Sequence, residues 1–496
     1  MNHPNLTTSF DTDDDWIHVN VEHKTVGHQL LALTGYRSHR IKVHWLKADG
    51  TISDEGITTT EGRFPSLSRA LPEVNWDERE IYDLFGYEPS SHPDLRPLIR
   101  TPRWPDKFFP MQEVPVVKDL QKPFHPEWRK TEPDNPARTV EGEGVTIMKV
   151  GPTHAGIIES GHFVFSIMGE NVLYLDAHLF QNHRGIEKVL EGLTVQNALP
   201  VVSRICGADT VSHQVNFVTA VEQLGLRKVP EELSLQRILL LESERILSHL
   251  NDLAQIPAGV GFQVAHQRGL AIKEAWQRGL ATVFGHRFLF DAVRFCPVPN
   301  LDLHRLRSLV LELERHFVEW RQFVDAHHGF HDRMQGVGIV KRSDAQRLGA
   351  VGVAMRATGA AVDVRTVMPL YQGISIEPAR AEGGDVEARF QVRIEEVQSS
   401  IHIIRTILKQ LTDKVEMTAW SPPLDLSGEV VTYAESPHGL NAHVIQLEHG
   451  IITRYHVRSG AFRNWPALAT AVAGNAVADF PLINKSFELC YSCVDR

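Results

Sequence analysis

Hydrophobic and polar positions alternate through the first fifty residues. "WIHVNV" (16–21) has a period of two, and "HRIKVHWLKADG" (39–50) repeats it before closing in a turn. Alternation turns one face of a strand inward, so residues 16–50 are expected to form strands and turns. A short mixed segment follows and ends in "VNWDEREIYDLFGYEPSSHPDLRPLI" (74–99). The pattern then disappears. Residues 122–143, "KPFHPEWRKTEPDNPARTVEGE", are rich in proline and charge and read as a linker. Beyond it, "TIMKVGPTHAGIIESGHFVFSIMGENVLYLDAHLF" (146–180) reads as strands with tight turns. Three long segments carry the helical period: 229–256, with Pro230 and acids at its start, 301–328 and 389–411. The expected fold is α+β: a small α/β N-terminal module (1–121), a linker (122–143) and a larger helix-rich domain (144–496).

Length and composition narrow this picture. A chain of 496 residues can hold two or more domains and a large core. Its net charge is −10 and it has no long basic run, which argues against nucleic acid as the main partner. The first residues, "MNHPNLTTSFDTDDDW", lack the basic and apolar regions of a secretory signal. No apolar stretch approaches 18 residues, so no membrane-spanning helix is expected and any membrane link runs through a partner.

Four cysteines make no disulfide framework in a chain of this length. Cys490 and Cys493 form a C-x-x-C in "FELCYSCVDR", which reads as a disulfide, a zinc half-site or half of a larger metal site. Cys206, in "SRICGADTVSH", and Cys296, in "VRFCPVPN", are the other two. Thiolates from distant loops suit a soft metal, whereas a free cysteine is ordinarily a small buried apolar residue, the reading preferred for Cys296. Glu244, Arg245 and His249 share one helix and are expected to make packing and ion-pair contacts.

"RICG" together with "CYSCVDR" resembles the large subunit of nickel–iron hydrogenases, specifically the membrane-bound, energy-converting group that includes formate hydrogenlyase and is related to respiratory complex I. "GPTHAGIIESGHFVF", "NHRGIEK", "ESERILSHL", "AMRATGAAVDVR" and "GGDVEARFQVRIEE" resemble successive blocks of that subunit. Residues 75–99 resemble the complex I peripheral-arm subunit that this group fuses to it. The resemblance implies that Cys206 and Cys490 are terminal ligands of a nickel–iron centre and that Cys493 is a bridging one. Asp209 stands where the fourth cysteine is expected, since the chain reads "CGAD". A carboxylate is a harder ligand than a thiolate, so a standard four-thiolate cluster cannot form.

Other departures surround the same site. Glu488-Leu489 replaces the Asp-Pro that precedes the terminal pair in the family, and His438, in "ESPHG", replaces an arginine that lies over the metal. Family precursors are cut just after the stretch that ends here in Arg496, so the chain matches either a mature product or a gene without the extension. Glu187 matches the family's proton-transfer glutamate; its structural reading is a helix-start charge paired with Arg184 or Lys188. His154 matches a histidine at the complex I quinone pocket and reads equally as a turn histidine. The implied function is a hydrogenase-like large subunit of a membrane-associated, complex I-like respiratory assembly that couples electron transfer to proton or ion translocation. The alternatives are a quinone-oxidoreductase-type subunit and a non-catalytic scaffold. Implied partners are a small subunit carrying an iron–sulfur cluster and antiporter-like membrane subunits. The implied location is peripheral, on the cytoplasmic face of the inner (plasma) membrane.

Overall fold

The computed structural model describes residues 8–9, 13–100, 108–112, 137–154, 159–298, 301–411 and 420–496. The expected linker lies outside the described residues up to 136. The first elements are β1 (Thr8–Ser9), α1 (Asp13–Thr25), β2 (Gln29–Gly35), β3 (Arg40–Leu46) and β4 (Ile52–Thr58). Their sheet runs β1-β4-β3-β2, with β1 parallel to β4 and the other pairs antiparallel.

One expectation fails here: "WIHVNV" is helical and lies within α1. Six alternating residues fit either period, and burial decided between them. Trp16 and Asn20 are buried, Ile17 and Val21 pack against the core, and His18 is exposed, which is the spacing of a helix face. Asn20 Nδ2 donates to Trp16 O at 2.8 Å and its Oδ1 accepts from Trp45 Nε1 at 2.9 Å. Asp13, Asp14 and Asp15 in the first turn, with His23 and Lys24 in the last, complement the helix dipole.

β5 (Arg63–Pro65) and β6 (Glu88–Ser90) pair in parallel on either side of α2 (Asn75–Phe85). α2 stops at Gly86, whose φ of 72° is the left-handed cap that glycine adopts without strain. Its buried side chains include Asp77, Glu78, Glu80 and Asp83. Carboxylates leave water at a large cost unless something answers them, so α2 depends on cations or donors from other elements.

β7 (Val145–Val150), β8 (His162–Met168) and β9 (Asn171–His178) form an antiparallel sheet. Next come α3 (Ile186–Leu190), α4 (Val195–Val202), α5 (Thr210–Leu224), α6 (Glu231–Gly259), α7 (Gln263–Phe284) and α8 (Leu303–Asp325). The short α9 (His328–Met334), α10 (Arg342–Arg347) and α11 (Gly352–Arg356) lead to α12 (Val386–Gln410). A second antiparallel sheet, β10 (Gly428–Ser436), β11 (Gly439–Glu448) and β12 (Ile451–Arg458), precedes α13 (Gly460–Val472), α14 (Phe480–Phe487) and α15 (Ser492–Asp495).

The three long helical segments are α6, α8 and α12. α6 runs through the interior against α7 and α12, while α5 lies on β10 and β11. β2 of the N-terminal sheet packs on β11 and β12, and one continuous apolar core extends from Trp16 to Val494. The architecture is α+β, with small sheets flanking a helical body. Among the described residues no helix is long and apolar enough to cross a membrane.

Candidate metal centre

The loop after α4 carries Cys206 to the start of α5, where Asp209 is the N-cap residue. The first N–H groups of a helix have no partner within it. Here α6 supplies one: the Glu244 carboxylate accepts from Val211 N at 2.5 Å and Ser212 N at 3.1 Å. This ties the Cys206 loop to the long, largely buried helix α6. On the other side α14 ends at Glu488, in the left-handed region at φ 46°, and the chain turns through Cys490 into α15.

The two segments meet. Cys206 Sγ lies 2.9 Å from Cys490 Sγ, and the Sγ atoms of Cys206, Cys490 and Cys493 all fall within 4.8 Å of one another. Asp209 Oδ2 lies 3.4 Å from Cys493 Sγ. His438, in the turn between β10 and β11, faces both Asp209 oxygens with Nδ1, at 2.9 and 3.1 Å, and its Nε2 lies 2.8 Å from Glu488 O. His213, one turn into α5, places Nε2 4.0 Å from Cys493 Sγ. Its Nδ1 lies 2.9 Å from His443 Nε2, and His443 Nδ1 lies 2.7 Å from Tyr455 Oη. Cys206, Cys493, Asp209 and His438 are buried and Cys490 is nearly so.

Burial and pairing set the charges. Burial alone would lower His438, but the Asp209 carboxylate more than offsets it and raises the imidazole to about 10. Burial would raise Asp209, and His438 outweighs that, so the carboxyl sits below its usual range. Burial pushes the Cys206 thiol well up, while hydrogen bonds from Cys206 and Cys493 pull Cys490 well down. Burial lowers His213 to about 4, so it is neutral near pH 7. The interior thus holds one thiolate-prone sulfur, two thiols and an Asp–His ion pair.

Three sulfur donors within bonding span of one point fit a single thiophilic ion such as nickel. They are three thiols and not four: the neighbouring Asp209 offers a carboxylate whose two oxygens already face His438, a donor set that does not fit a four-thiolate nickel–iron centre. The site therefore gathers Cys206, Asp209, His438, Cys490 and Cys493.

Glu187 and His154 are held elsewhere. Glu187 accepts from Arg454 Nη1 at 2.9 Å, Arg496 Nε at 2.9 Å and Val457 N at 3.1 Å, with His456 Nδ1 at 3.2 Å. These partners are distant in sequence and include neither Arg184 nor Lys188. Burial would raise Glu187, but His456, Arg454 and Arg496 together hold it well below the carboxylate range. His154 Nε2 lies 2.8 Å from Gly161 O in its own loop. Cys296 bonds the backbone of Trp420 and stands apart from the other thiols.

Sequence reasoning passed over two residues. His213 follows Cys206 by seven positions in the same motif, a spacing that could have marked it. Arg184 could not be found that way: its guanidinium donates to Ile205 O at 2.5 Å and Ser492 O at 2.8 Å, clasping both cysteine segments.

This arrangement, a helical body docked on a small α/β module with thiols from far-separated segments brought together, finds its likeness among large subunits of nickel-dependent hydrogenases and of respiratory complex I. Family models match accordingly: "Respiratory-chain NADH dehydrogenase, 30 Kd subunit" over residues 25–122, "Nickel-dependent hydrogenase" over 184–255, and "Respiratory-chain NADH dehydrogenase, 49 Kd subunit" over 270–424 and 423–496. Hydrogenase-4 component G of Escherichia coli (strain K12) is 30% identical over 446 residues, 87% of this chain and 76% of the relative. Formate hydrogenlyase subunit 5 of the same organism is 29% identical over 458 residues, 89% of this chain and 78% of the relative. A chain in the structure of the membrane-bound sulfane sulfur reductase, an archaeal respiratory membrane complex, shares the fold with a TM-score of 0.66 and 23% identity over 71% of this chain and 99% of that one. The chain belongs to the family of membrane-bound nickel–iron hydrogenase large subunits, related to the fused peripheral-arm subunits of complex I.

Proposed function

We propose that this chain is the redox-active large subunit of a membrane-bound, complex I-like respiratory assembly, with a site that holds a metal on Cys206, Cys490 and Cys493 and does not turn over hydrogen at the rate of its relatives. One observation carries this reading: Asp209, which the family resemblance puts in the place of a fourth cysteine, lies 3.4 Å from Cys493 Sγ and is ion-paired to His438. A bound metal would supply electron storage at the three sulfurs. The chain's own residues bury it, hold an anion beside Cys493 and aim His213 at the same sulfur. Electrons would arrive from a small subunit bearing an iron–sulfur cluster. Antiporter-like membrane subunits would couple their passage to proton or ion movement, with this chain peripheral on the cytoplasmic face. The proton-transfer role of Glu187 and the quinone-pocket role of His154 rest on the family resemblance alone, since Glu187 is ion-paired to Arg454 and Arg496 and His154 bonds its own loop. The same reading divides the chain into a peripheral-arm-like module (1–121), a linker (122–143) and a hydrogenase-like domain (144–496).

The test is metal analysis of the purified complex beside a dye-linked hydrogen assay. The expected result is bound metal with little or no hydrogen uptake or evolution, and Asp209→Cys is expected to raise iron content. Vigorous hydrogen turnover by the native complex overturns the reading. If neither form binds metal, a quinone-reducing or scaffold subunit is the better description.

A further inference from the structure

We propose that Glu80 of the N-terminal module is a positioning residue for the thiol site, acting through Arg496 on the segment that carries Cys490 and Cys493. α15 has four residues, far too few to hold its shape unaided. Its hold is external. Arg184 N and Gly185 N donate to the carbonyls of Asp495 and Arg496 at 3.0 and 3.1 Å, and Ser459 Oγ donates to Cys493 O at 3.2 Å.

The charged anchor is Arg496, which is 2% exposed. Its Nη2 lies 2.5 Å from Glu80 Oε2, its Nε 2.9 Å from Glu187 Oε1, and its guanidinium 5.2 Å from the centre of the Phe462 ring. Cys493 precedes it by three residues, within one helical turn, so a shift of Arg496 carries that sulfur with it.

The surroundings explain why Glu80 cannot be spared. Asp77, Glu80 and Glu187 face Arg454, Arg458 and Arg496 in one buried cluster. Arg458 reaches Glu80 Oε2 at 3.1 Å and also pairs with Asp77. These three carboxylates make the direct ion pairs to the three guanidiniums, with Glu191 and Arg463 acting on the cluster from farther out. The ligand atoms of Glu80, Glu187 and His456 lie within 4.8 Å of one another, but the guanidiniums already answer that charge, so the group is no cation site. Without Glu80, Arg496 shares Glu187 with Arg454, and one buried cation has no counter-charge, which the interior does not tolerate. α15 is then expected to leave its seat and expose Cys493.

The experiment uses the full, metal-free chain and reads alkylation of each cysteine by iodoacetamide with mass spectrometry. Glu80→Ala is expected to speed labelling of Cys493, buried in the native chain, by at least about tenfold, with Cys296 unchanged. Glu80→Asp, which keeps the charge, is expected to restore part of the protection. Asp83→Asn is the control. Asp83 lies on the same helix, one turn on, and accepts from the backbone of Leu98, Ile99 and Arg100 at 2.7, 2.7 and 3.1 Å rather than from an arginine of the cluster. Unchanged labelling in Glu80→Ala, or equal opening of Cys493 in Asp83→Asn, overturns the proposal.

Should Glu80→Ala not fold, Glu80→Gln is loaded with cadmium and its thiolate-to-metal absorption compared with the native chain. A loss of about one third, one thiolate of three, is expected, and full intensity overturns the proposal. The labelling arm needs no metal, so its outcome is separable from that of the proposed metal site.

Discussion

Glu396 lies on α12 with no exposure to solvent, and three side chains from elsewhere surround its carboxylate. Arg356 Nε lies at 2.7 Å, His249 Nε2 at 2.7 Å and Arg245 Nη1 at 3.4 Å. Burial would raise its pKa, but Arg356 and His249 overcome that and hold it ionised, well below the usual range. Arg245 and His249 were legible as ion-pair formers on one helix face, but Glu396, some 150 residues away, was not legible as their partner. Removing one member of a buried ionic group leaves the others charged and unanswered. Glu396→Gln is expected to destabilise the chain by about 3–5 kcal/mol, seen as a lower guanidinium midpoint. A change under about 1 kcal/mol would mean that Glu435 and Asp363, which also face Arg356, suffice to balance it.

Among the elements, α7 tests whether packing or propensity governs. Its sequence carries Gly269 and Gly279 within a helix, where glycine is intrinsically poor. The reason lies in the neighbours. A Cβ on Gly269 would stand 2.8 Å from Ala254 Cβ and 3.1 Å from Ala254 Cα on α6, and neither atom can swing aside. Glycine there lets α7 lie close against α6. In an isolated helix Gly269→Ala would gain roughly 1 kcal/mol. In this fold it is expected to cost about 1–3 kcal/mol net, as overpacking does, and to lower the melting temperature. A rise would show that α6 and α7 part without penalty. α1 teaches a related lesson: its six alternating residues suited a strand, and the burial of Trp16 and of Asn20, which bonds Trp45, selected the helix.

At the scale of the molecule, the N-terminal module and the helical body share an apolar core and a buried charge cluster. β2 meets β11 and β12, and Arg458 and Arg496 reach α2. If the proposed division at 122–143 is right, a specific protease site inserted there will cut the backbone without separating the parts. The two fragments are expected to co-elute on size exclusion in native buffer and to separate only in denaturant. Separation in native buffer would show that the shared core contributes little to association.

The long helices α6, α8 and α12 were written into the sequence, because an apolar period of 3.6 sustained over twenty residues leaves the chain few other ways to hide that face. The cysteines and Asp209 were legible too, since their chemistry and motif spacing are local properties. Tertiary structure alone decided how near Cys206 comes to Cys490, which side chain holds Asp209, and what surrounds Glu187. Glu187 shows why: from sequence it is a carboxylate at a helix start, with neighbours Arg184 and Lys188 to pair with. Folding instead delivers Arg454, His456 and Arg496 to it, from about 270 to 310 positions away, inside a medium that excludes water. Charge state in an interior depends on which groups arrive together, and no local pattern records that.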